Sequence, residues 1–214
     1  MTQNNLAIAL RNQGSRTGGE QGTALLARAV DAYDAALVVY TRADHPVDWA
    51  MTQNNLGNAL SDQGERTGGA QGTALLARAV EAYDAALVVR TRADHPVDWA
   101  MTQNNLAVAL QNQGKRTGGE QGTALLARAV EAYDAALTVR TRADHPVDWA
   151  MTRENMAIAE LARADLGGDA RGHLTAALAH VRAALEVYDP VHMPYDHGTA
   201  TDLLADIEAR LAAL

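Results

Sequence analysis

Residues 1–50 recur almost unchanged and without gaps as residues 51–100 and 101–150, and a fourth copy begins at Met151 before diverging. A fixed period of this size is the signature of stacked supersecondary units. One such unit cannot bury its own apolar face, so each copy must be stabilised against the next. The expectation is a single all-α solenoid domain over 1–214, an α-α superhelix of antiparallel helix pairs. It comprises repeats 1–50, 51–100 and 101–150, a divergent repeat 151–190 and a capping helix 194–213.

Two helices are expected in each copy. The chain has no Phe and no Cys, and Ala, Leu and Val dominate its apolar residues, a composition suited to helices packed closely side by side. Helix A of the third copy spans about 96–112, with Pro96 in its first turn and Asp94 placed to cap it. Gly14, Gly64 and Gly114 are expected to end helix A in left-handed geometry. A glycine-rich turn over 66–72 then leads into helix B at about 73–90.

On a helical wheel Leu6, Ala9, Leu10 and Gln13 share a stripe, joined by Trp49, Trp99 and Trp149 of the later copies, and this stripe is the expected core of helix A. Leu25, Leu26, Ala29, Tyr33, Ala36 and Leu37 form the equivalent face of helix B, while Arg28 and Asp34 point away.

Leu56-Gly57 followed by Leu60, then Ala79, Tyr83, Ala86 and Pro96, resemble the signature of a tetratricopeptide repeat. Asn54-Asn55-Leu56 and Asp94-His95-Pro96 are similar to the long variant found in kinesin light chains and bacterial signalling proteins. The common repeat is about 34 residues; the extra length here lies mainly in 65–74, Gln53 stands where a large apolar residue is usual, and the Trp has moved upstream to Trp49. The resemblance implies a tetratricopeptide solenoid whose concave wall, lined by helix A, binds a peptide or protein segment.

Only nine columns differ among the first three copies, those of Ala7, Ile8, Arg11, Asn12, Ser15, Glu20, Asp31, Val38 and Tyr40. Ile8, Arg11, Asn12 and Ser15 are spaced i, i+3, i+4, i+7 and form one stripe roughly opposite Leu6 and Leu10. Read across the copies, the stripe carries Ile8, Arg11 and Asn12, then Asn58, Ser61 and Asp62, then Val108, Gln111 and Asn112. These are the candidate ligand-binding residues, and Glu154 of the fourth copy joins them. Asn4, Asn54 and Asn104 project toward the same face, with Asn5, Asn55 and Asn105 on its flank. Asn is costly inside a helix, so six of them need a compensating role. By resemblance the second Asn column holds the backbone of an extended peptide; hydrogen bonding between helices of the stack is the alternative.

A net charge of -8 argues against nucleic acid as a partner. No run is long and apolar enough to span a bilayer, and without Cys the default setting is a reducing cytoplasm. No cofactor, metal or catalytic residue is expected. His45, His95 and His145 sit in turns that start helix A, too far apart for one ion, and Gly18, Gly19 and Gly22 lack the Lys-Ser or Lys-Thr of a phosphate loop. His173, His180, His192 and His197 are irregularly spaced surface positions. The leading function is a protein-interaction scaffold; the alternative is end-to-end self-assembly into homo-oligomers through an uncapped N-terminal unit that opens at Met1 partway through helix A.

Overall fold

The computed structural model describes residues 2–214, so Met1 and the opening of the first copy lie outside the described residues. The chain is all-α over the described residues. Its helices are α1 (Thr2–Arg16), α2 (Gly19–Val39), α3 (Pro46–Arg66), α4 (Gly69–Leu87), α5 (Pro96–Thr117), α6 (Gly119–Leu137), α7 (Pro146–Leu166), α8 (Ala170–Leu185) and α9 (Pro194–Ala212). They gather into two compact units, Met1–Gln113 and Gly114–Leu214, whose boundary falls within α5. In the first unit α1 pairs with α2, α3 pairs with α4, and α2 packs on α3. In the second α6 packs on α7, α7 pairs with α8, and α9 covers α8. These are antiparallel helix pairs of the tetratricopeptide kind, closed by a terminal helix.

Leu25, Leu26, Ala29, Tyr33 and Ala36 are buried in α2, with Leu37 half-buried and Arg28 and Asp34 exposed, as the wheel required. In helix A, Leu10, Leu60 and Leu110 are buried, but Leu6, Ala9 and Gln13 of α1 are exposed. Trp49, Trp99 and Trp149 are half-buried. The rings of Trp99 and Trp149 carry cations: Arg92 lies 6.0 Å from the Trp99 centroid, and Arg142 and Arg153 lie 5.7 and 5.3 Å from that of Trp149.

The expected glycine caps are corrected. Gly14, Gly64 and Gly114 lie inside their helices, which continue to Arg16, Arg66 and Thr117. Left-handed backbone falls at Gly19, Gly69, Gly118 and Gly119 instead. Gly14 is small for packing reasons: a Cβ there would stand 2.9 Å from Leu26 Cγ and 3.1 Å from the Gly22 carbonyl. Gly22 is tighter still, since its Cβ would lie 1.9 Å from the Thr17 carbonyl oxygen. The turn between α3 and α4 is only Thr67 and Gly68, so most of the extra repeat length lengthens both helices rather than a loop.

Arg66 explains why α3 runs on. Its Nη1 donates to the carbonyls of Gly14 at 2.8 Å and Thr17 at 2.7 Å, and Nη2 donates to Ser15 at 2.6 Å. A guanidinium is thus set on the negative end of α1.

The Asp94 cap is corrected too. Thr91 Oγ1 donates to Asp94 Oδ2 at 2.7 Å and accepts from the Asp94 amide at 3.1 Å, and Thr41 with Asp44 repeats the arrangement. The carboxylate therefore tightens the loop. In α3 and α7 the cap positions are His45 and His145, which make no side-chain capping bond.

In the second unit the shorter turn ends at Asp169, whose Oδ1 accepts from the Gly172 amide at 2.9 Å and caps α8. Helix α9 buries Ala200 and Ile207 in the cluster of Val181, Ala184 and Tyr188. Glu160 occupies the column held by Leu10, Leu60 and Leu110 and is 4 % exposed. It is held by Arg163 Nη1 at 2.9 Å and His173 Nδ1 at 2.7 Å.

Two outcomes follow for urea denaturation followed by circular dichroism. Gly22→Ala should lower stability by roughly 1–3 kcal/mol because a backbone carbonyl must move, whereas Gly18→Ala, with nothing within 4 Å of its Cβ, should cost less than about 1 kcal/mol. His173→Ala takes one partner from a buried carboxylate and should cost roughly 1–3 kcal/mol, while Glu160→Leu should be close to neutral or stabilising.

Candidate binding site

Copy-differing residues meet on the face of the first unit where α1, α3 and α5 lie alongside one another. Arg11 Nε donates to Asp62 Oδ2 at 2.9 Å, and Ser15 Oγ donates to the same oxygen at 2.9 Å. Asn112 Nδ2 donates to Glu65 Oε1 at 2.7 Å, with Ser61 Oγ at 3.4 Å from it. Each inter-helix pair joins two columns in which the copies differ. A substitution in one copy is therefore matched by the residue facing it in the next.

Beneath these pairs runs a buried polar chain. Arg90 Nη1 donates to Thr102 Oγ1 at 3.1 Å, and the Thr102 hydroxyl lies 2.8 Å from the Asp98 carbonyl and 3.2 Å from Asn54 Oδ1. Asn105 Nδ2 donates to Asn54 Oδ1 at 3.5 Å and to Asn58 Oδ1 at 3.2 Å. Tyr83 closes the chain, its hydroxyl donating to Asn58 Oδ1 at 2.8 Å. Burial, aided by Asp62 and Glu65 and opposed by Arg11, raises the Tyr83 pKa far above the ordinary tyrosine value, so the phenol stays protonated and remains a donor. The same column in the first copy, Tyr33, is pushed up to about 12 by burial.

Gly57 makes the second copy different. A Cβ there would lie 2.7 Å from Tyr83 Cε1, and the first and third copies carry Ala7 and Ala107. The missing methyl brings the Tyr83 ring against α3 where its hydroxyl reaches Asn58.

Arg11, Asn58, Ser61, Asp62, Glu65, Tyr83, Asn105 and Val108 enclose a cavity of about 170 Å3. Six of the sixteen residues chosen from sequence are among them. Tyr83 and Glu65 were missed, although Glu65 belongs to the differing column of Ser15 and Tyr83 to the buried face of helix B. Asn55 and Asn112 are half-buried beside this face, and Asn5, Ile8 and Asn12 are exposed on α1.

Several candidates prove not to be open wall. Asn4, Asn54 and Asn104 are buried in all three copies, and Ser61 and Gln111 are buried where Arg11, the α1 member of their column, is half-buried. Asn54 and Asn105 take the inter-helix role. Asn4 Oδ1 is buried without a hydrogen-bond partner, and at the column of Arg90 the first copy has Tyr40. Glu154 is engaged in the second unit, accepting from Tyr188 Oη at 2.9 Å and Thr199 Oγ1 at 3.2 Å, and so ties α7 to the chain beyond α8.

Among the described residues no group of three or more His, Asp or Glu side chains gathers to hold a metal ion, and no helix is long and apolar enough to cross a membrane. No curated protein matches the sequence. A tetratricopeptide-repeat family model matches residues 49–69 and 99–121, two short segments that take in most of α3 and nearly all of α5. These two matched segments, in an all-α chain of antiparallel helix pairs, are consistent with a protein-interaction scaffold.

Proposed function

We propose that the face formed by α1, α3 and α5 in the first unit binds an extended segment of another protein. One observation carries the reading: four of the nine columns in which near-identical copies differ, those of Ile8, Arg11, Asn12 and Ser15, contribute residues to one small cavity. Its mixture of amide, hydroxyl, carboxylate and aliphatic groups suits an anchor side chain with hydrogen bonds to the ligand backbone beside it. The polar chain behind it fixes the rotamers of Asn58 and Tyr83, so the wall is set before a ligand arrives. The cysteine-free composition supports a reducing, cytoplasmic setting.

A second reading, end-to-end self-association, is favoured by a different observation. Leu6 is 47 % exposed where Leu56 and Leu106, in the same column, are 6 % and 4 % exposed. Arg16 is exposed as well, whereas Arg66 in its column caps a neighbouring helix. Light scattering across a wide concentration range separates the readings: a constant monomer mass removes self-association, and a mass that rises until Leu6→Glu abolishes the rise supports it.

Peptides selected by display against the whole chain test the leading reading. Val108→Glu should weaken them by roughly tenfold or more, with Glu81→Lys on the exposed side of α4 as the control that leaves them unchanged. Melting by circular dichroism should hold for both variants. Peptides indifferent to Val108→Glu would dispose of the groove.

A further inference from the structure

We infer that the cavity on α3 reads charge: it accepts a lysine or arginine side chain whose neighbours about three positions to either side are apolar and rest on Ile8 and Val108. The inference rests on the peptide-binding reading above and names the ligand class for that same face.

The pattern comes from one column read across the copies. Ile8, Asn58 and Val108 occupy equivalent positions of α1, α3 and α5, so the face presents apolar, polar and apolar stations in order. Packed helices lie about 8–10 Å apart, and an extended chain advances about 3.3 Å per residue. Successive stations therefore meet every third ligand residue or so. The middle station opens on a cavity that Val108 also lines, and at about 170 Å3 it suits one side chain rather than a larger cofactor.

The lining decides which side chain. Asp62 and Glu65 place two carboxylates in the lining beside the guanidinium of Arg11. Both hydrogen bonds to Asp62 fall on Oδ2, which leaves Oδ1 to an incoming N–H. Tyr83 Oη donates its proton to Asn58 Oδ1 and Asn105 Nδ2 donates to Asn54 Oδ1 and Asn58 Oδ1, so neither is turned toward an anionic guest. A carboxylate or phosphate at this point would meet like charge and is rejected. The net charge of -8 adds a long-range field that draws in a basic segment.

The probes are fluorescent heptapeptides with leucine at both ends and lysine, arginine, glutamate or norleucine at the centre, titrated by anisotropy against the whole chain. Lysine and arginine should bind roughly tenfold or more tightly than norleucine, with glutamate weakest. Asp62→Asn combined with Glu65→Gln should erase the preference for the basic peptides over norleucine, and added salt should weaken only the basic peptides. Equal binding of lysine and norleucine by the unaltered chain overturns the charge-reading cavity and leaves the groove standing. If no heptapeptide binds, or all bind equally after Val108→Glu, the groove itself fails and this inference with it.

Discussion

The fold depends on how closely two helices approach where neither has a side chain in the way. At Gly22 a single Cβ would stand 1.9 Å from a backbone carbonyl, and at Gly14 it would press on both Leu26 and the Gly22 carbonyl. Ala29, Ala36, Ala79 and Ala86 continue the same economy along helix B. With so few large residues, stability comes from many short contacts between backbones and small side chains. The long arms of arginine then work at the ends, where Arg66 donates to three carbonyls, of Gly14, Ser15 and Thr17, at and just beyond the end of α1.

The fold was legible because it follows from period and polarity. A gapless 50-residue repeat with two amphipathic stretches leaves few arrangements besides stacked helix pairs, and the buried faces of α2 and α4 are those the wheel picked out. Boundaries were less legible. Glycine at position 14 reads equally as a stop or as a close contact, and only the partner helix distinguishes them. Asp94 likewise has the right spacing for a cap, but Thr91 competes for it at shorter range.

The site was legible as a stripe and not as a cavity. Comparing copies found the columns of Arg11, Asn58, Asp62 and Val108 without any relative. It could not tell that Asn4, Asn54 and Asn104 are buried in every copy, or that the column of half-buried Arg11 is buried at Ser61 and Gln111. Tyr83 escaped notice for the opposite reason: it has the same identity in all three copies, and its special role comes from Gly57 and Asn58 across the helix pair. Glu154 looked like a fourth member of the stripe, yet its partners, Tyr188 and Thr199, belong to the divergent end of the chain.

The differences among the copies thus describe contacts between neighbours as much as contacts with a ligand, and the Tyr83–Asn58 bond is where the two meet. A double-mutant cycle on that bond tests the account most directly. Tyr83→Phe and Asn58→Val, made singly and together, should show a coupling of about 1 kcal/mol in chemical denaturation. Effects that simply add would contradict a cavity wall held in place by this hydrogen bond.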